Sequence, residues 1–120
     1  KEIPIYVFSK DISNPFILIS PHREIIDTSS KYEIYVPYRT DSKYKLVAQS
    51  MSANKETVYS ISVGSWDNEK WESDKESFTD VSNYEPNEME SQAKTIKIGQ
   101  QITSYLHKGD LDFWIIDMSE

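Results

Sequence analysis

The chain has 120 residues, no cysteine and a formal net charge of −7. That length supports one domain, residues 1–120, with a modest core, and the lack of cysteine excludes a disulfide framework, a thiol nucleophile and a Cys-based zinc site. The acidic balance argues against a nucleic-acid partner, and no stretch reaches the ~20 apolar residues that span a bilayer.

Residues Ile3 to Phe8 alternate, with Ile3, Ile5 and Val7 on one face and Tyr6 and Phe8 on the other. This predicts a strand buried on both faces, and Pro4 suits its opening residues. Asp11, Ser13 and Asn14 before Pro15 are turn chemistry. Phe16 to Ile19 is a short apolar run closed by Ser20-Pro21, and its length favours a strand. His22 and Arg23 read as plain surface in a turn, and 27–30 as another turn.

Tyr32, Ile34 and Val36 alternate with polar or aromatic neighbours until Pro37, and Tyr44, Leu46 and Ala48 repeat the pattern. The intervening 39–42 loop is short enough for a hairpin. Val58 to Gly64 is the clearest strand, with Tyr59, Ile61 and Val63 on one face and Ser60 and Ser62 on the other. It predicts one buried and one wet face, as in an antiparallel sheet.

Trp66 to Ser82 carries no sustained period. A short helix capped by Asp67 and an irregular loop both fit it. Further strands are predicted at Thr95 to Ile98, Gln101 to Leu106 and Asp112 to Met118. The last is apolar on both sides, which places it inside its sheet. Short strands, close turn signals and no long amphipathic helix together predict an all-β fold: an antiparallel, jelly-roll-like β-sandwich.

The charge is concentrated. Residues 67–90 hold nine acids against two bases, which equals the net charge of the whole chain. This acidic, linker-like segment reads either as a solvated loop or as a cation-attracting connector. At its end, Asn83-Tyr84-Glu85-Pro86-Asn87-Glu88 forms a turn rich in carboxylates and amides. Gly109-Asp110-Leu111-Asp112 forms a second such turn, after the alternating Ala93–Gly99 segment. Hard oxygen ligands gathered from separate turns are what calcium prefers. Glu85, Asn87, Glu88, Asp110 and Asp112 are therefore the candidate metal ligands, and calcium the candidate cofactor; the same side chains also serve as caps for turn N–H groups.

In order and spacing, these residues resemble the bacterial pre-peptidase C-terminal domain over Tyr84 to Met118. That family comprises small β-sandwiches attached to secreted peptidases, including the collagen-binding modules of clostridial collagenases. The resemblance implies that the two clusters hold calcium. In the family, further strands follow the Gly-Asp-x-Asp strand. Here either residues before Asn83 would supply them, in a permuted strand order, or the sequence would be a fragment cut between repeats.

Aromatic residues are the second candidate site. Trp66, Trp71, Tyr35, Tyr38 and Tyr84 offer stacking surfaces for sugars or an extended peptide, or else fill the core. Trp66 and Trp71 stand out because their segment is too polar to be interior, so Trp66, Trp71 and Tyr84 are the candidate ligand-binding residues. No metalloprotease, nucleophile-elbow or phosphate-loop motif occurs, which points away from an enzyme.

The expected function is a non-catalytic accessory module of an exported bacterial protein, stabilised by calcium. Its location would be secreted, periplasmic or at the cell surface, and its partners an extracellular protein or polysaccharide and the domains of its parent protein. One alternative is a glycan- or peptide-binding, adhesin-like module using exposed tryptophan. Another is an envelope lipoprotein domain that self-associates through strand edges.

Overall fold

The computed structural model describes residues 2–10, 16–19, 25–27, 33–37, 43–49, 57–77, 90–107 and 110–118. Among them are nine strands: β1 (Glu2–Ser9), β2 (Phe16–Ile19), β3 (Ile25–Asp27), β4 (Ile34–Pro37), β5 (Lys43–Gln49), β6 (Thr57–Val63), β7 (Lys94–Lys97), β8 (Gln101–Leu106) and β9 (Leu111–Asp117). One helix, α1 (Asn68–Ser77), and a 3₁₀ turn at Glu90–Gln92 complete the described elements.

The strands form two sheets. Sheet A has the order β4-β1-β6-β8 and sheet B the order β3-β2-β5-β9-β7. Every pairing is antiparallel except β7 with β9, which is parallel. The period-2 pattern decides which side of each strand faces inward. Sheet A contributes Ile3, Ile5, Val7, Ile34, Val36, Tyr59, Ile61, Val63 and Leu106 to the core. Sheet B contributes Leu18, Tyr44, Leu46, Ala48, Ile96, Trp114 and Ile116, and Met118 just past β9 joins them. Each large apolar side chain buried this way contributes roughly 1.5–3 kcal/mol before entropy is counted. The result is the all-β sandwich that the alternation predicts, with β9 inside its sheet between β5 and β7.

Two features differ from the sequence reading. The 39–42 segment lies outside the described residues, but the strands that flank it do not pair as a hairpin: β4 pairs with β1 in sheet A, while β5 pairs with β2 and β9 in sheet B. Alternation marks the inner face of each strand but is silent on which sheet it joins. The second difference is β6, which is buried along its whole length rather than wet on one side. Helix α1 covers its outer face. Asp67 accepts the Lys70 N–H at 3.1 Å, as an N-cap should, and Trp71 is only 5% exposed against the sheet. Asp74 accepts from Thr103 Oγ1 on β8 at 2.7 Å, and Thr103 in turn reaches Ser60 Oγ at 3.4 Å. Burial alone would raise the Asp74 pKa, but the hydrogen bonds from Lys70 and Thr103 and the Lys70 charge outweigh it and lower it.

The end of β6 is tied to the turn between β7 and β8. Gly99 donates to Val63 O at 2.8 Å, and Val63 donates to Gln100 O at 3.2 Å. Gly64 sits at φ +95° and Gly99 at φ +93°, a region that side chains with a Cβ adopt only with strain.

Candidate functional site

Sheet A brings aromatic rings together on its outer face. Tyr35 on β4 lies opposite Pro4 on β1. Tyr6, two residues on from Pro4, shares that face and is a diagonal neighbour of Tyr35, roughly 7–8 Å away by sheet geometry. The chain leaving β6 then lays Trp66 over β1. Its ring centroid is 6.0 Å from Tyr6 and 4.4 Å from Phe8, edge-on to the latter. Phe8 in turn stacks on Trp71 at 5.9 Å. The rings grade from buried Trp71 under the helix, through half-buried Phe8, Trp66 and Tyr6, to Tyr35, which is 55% exposed at the sheet edge.

The polar rim is acidic. The Tyr35 hydroxyl donates to the Glu33 carboxylate. That bond, slight desolvation and the charges of Glu33, Tyr6 and Glu2 raise the pKa of its phenol. Glu2 and Glu33 are exposed and form no ion pair among the described residues. The lysines near the helix side of this sheet are engaged elsewhere: Lys10 with Glu76 at 3.7 Å, Lys70 with Asp74 at 2.7 Å and Lys75 with Glu72 at 2.8 Å. Trp66 Nε1 donates to Asn68 Oδ1 at 3.3 Å, which fixes its ring beside the start of α1.

Of the expected ligand-binding residues, Trp66 lies on this shelf and Tyr84 lies outside the described residues. Trp71 is not a surface residue as its polar segment implied. A short helix docked on a sheet buries one large ring and leaves its other positions wet, so composition pointed the wrong way. The alternation of β1 and β4 already placed Pro4 with Tyr6 and Glu33 with Tyr35. The pairing of the two strands was the missing information.

Of the expected metal ligands, Glu85, Asn87 and Glu88 lie outside the described residues. Asp110 and Asp112 have different surroundings. Asp110 is in the turn before β9, with its side chain 18% exposed and Oδ2 3.8 Å from His107 Nδ1. Asp112 is fully buried in the core. Its Oδ2 accepts the Tyr59 hydroxyl proton at 2.6 Å, and Tyr59 Oη accepts from Trp114 Nε1 at 2.9 Å. The Ser104 hydroxyl hydrogen-bonds Tyr59 as well. Burial, followed by the Asp112 charge and hydrogen bond, pushes the Tyr59 pKa well above its ordinary value. This network crosses from β6 to β9 and so links the two sheets. Its signal was present in the sequence: Asp112 shares the parity of inward-facing Trp114 and Ile116, and buried Tyr and Trp need partners for their polar tips. Among the described residues, no group of three or more His, Cys, Asp or Glu is placed to hold a metal ion.

The fold and its surface thus define an all-β sandwich with an acidic aromatic shelf on one sheet. No family model, curated protein or solved structure matches the chain. No helix among the described residues is long and apolar enough to cross a membrane.

Proposed function

We propose that this chain is a non-catalytic binding module, carried as an accessory part of an exported protein, that takes its ligand on the outer face of sheet A. The observation that carries the reading is the exposure of Tyr35 on the sheet face that also carries Tyr6 and Trp66. A ring more than half open to solvent, on the same sheet face as Tyr6 and rimmed by carboxylates, is costly to leave in water and suits a partner with both apolar and polar groups. Sugars and extended peptides meet that description. The test is a titration of tryptophan emission with oligosaccharides and extended peptides. A saturable change that is lost in Tyr35→Ala and Trp66→Ala supports the reading; emission unmoved by every ligand refutes it.

A second reading retains calcium as a stabiliser. It is favoured by the turn position and partial exposure of Asp110, with Glu85, Asn87 and Glu88 as the remaining ligands. An ion that binds only the folded form raises stability by mass action. A melting temperature equal in calcium and in chelator refutes it.

A further inference from the structure

We infer that the shelf on sheet A receives a basic, extended polypeptide segment, its lysine or arginine side chains seated over Tyr35, Tyr6 and Trp66 and paired with Glu2 and Glu33. The inference rests on the binding role proposed above and names the chemistry of the ligand. Charge complementarity carries it. Glu2 and Glu33 are exposed beside the rings and lack ion-pair partners among the described residues, while Lys10, Lys70 and Lys75 are occupied by Glu76, Asp74 and Glu72. A neutral ligand laid over the rings offers these carboxylates only uncharged donors in place of water and leaves their charge uncompensated, which is the weaker arrangement. A cation compensates the carboxylates and is attracted to the faces of the rings. An anionic ligand meets repulsion at the same place.

The backbone of β4 favours a polypeptide over a small cation. Pro4 has no N–H, and its carbonyl accepts the Gly64 N–H at 2.9 Å on the β6 side. The Pro4–Tyr35 pair therefore forms no ladder bond, and the main-chain N–H and C=O of Tyr35 point to the edge of sheet A that no described strand covers. Glu33 shares the parity of Tyr35, so an extended segment can pair there over these two residues. Pro37 ends the strand and offers no further donor, so the segment does not extend the sheet but turns onto the shelf.

The probe is octalysine, with cellohexaose as a neutral comparison, each titrated into the full chain by calorimetry. Octalysine is expected to bind, and Tyr35→Ala to weaken it about two- to fivefold, as loss of one exposed cation–π contact implies. The double variant Glu2→Gln, Glu33→Gln is expected to weaken it further and to reduce its dependence on salt. Glu72→Gln, which removes one charge from the helix, is expected to leave the affinity unchanged. Circular dichroism confirms that these surface variants remain folded. Equal weakening by Glu72→Gln and by the shelf variants would show diffuse charge attraction and overturn the inference. Binding of cellohexaose without octalysine would overturn it while leaving the shelf as a binding surface. No binding of either probe overturns both.

Discussion

Tyr59→Phe isolates the hydroxyl that joins the two sheets. The substitution keeps the ring, so the packing around it is preserved, and it removes a donor to Asp112 at 2.6 Å and an acceptor for Trp114 Nε1 at 2.9 Å. All three residues are fully buried, so water does not replace what is lost. A hydrogen bond to a charged group contributes about 1.5–3 kcal/mol and a neutral one about 0.5–1.5. The expected cost is therefore about 2–4 kcal/mol, out of roughly 6–18 for a chain of this size. In urea, with a slope of about 2 kcal/mol per molar, the midpoint falls by about 1–2 M. The native protein also carries a pH signature. The folded pKa of Tyr59 is raised, so above the unfolded value near 10 the folded state holds a proton that the unfolded state has released. This contribution is fully present below pH ~10 and is lost as pH climbs from there towards the folded pKa, at about 1.4 kcal/mol per pH unit. Tyr59→Phe abolishes that component of the alkaline slope. A midpoint within about 0.2 M of the native one, with an unchanged alkaline slope, would refute the bridging role.

Trp71→Ala removes the one ring by which α1 is buried against sheet A, and is expected to cost about 3–5 kcal/mol, with loss of helical dichroism; a retained helix signal at native stability would contradict the docking. Gly64→Ala places a Cβ at φ +95° and 3.3 Å from Ile98 Cγ2, for an expected loss of roughly 1–2 kcal/mol in a urea titration. Calcium at millimolar concentration is expected to raise the melting temperature, and Asp110→Ala to abolish the rise; calorimetric scans with chelator provide the comparison.

Most of the sandwich was legible because its strands carry clean inward parity. Ile3, Ile5 and Val7, or Tyr59, Ile61 and Val63, announce a buried face whatever their neighbours do. Strand β3 was not legible: Ile25–Asp27 is three residues long, too short for alternation to register. The assignment of β4 and β5 to different sheets depends on long-range pairing that no local pattern encodes. The Asp67 cap could be read, but the course of α1 over Ser60 and Ser62 could not, since its residues form no apolar stripe. The shelf was half visible. Tyr35 and Trp66 were recognisable as candidate stacking residues, whereas Tyr6 read as core, because the alternation of β1 does not reveal that its outer face is only partly covered.

The central claim is that the outer face of sheet A is where this protein meets its ligand. Amide shift mapping of the ¹⁵N-labelled chain with octalysine tests it most directly. The account predicts perturbations gathered at residues 2–8, 33–37 and 64–68. Shifts confined to β5, β7 and β9 on sheet B, or scattered evenly over every acidic side chain, would contradict it.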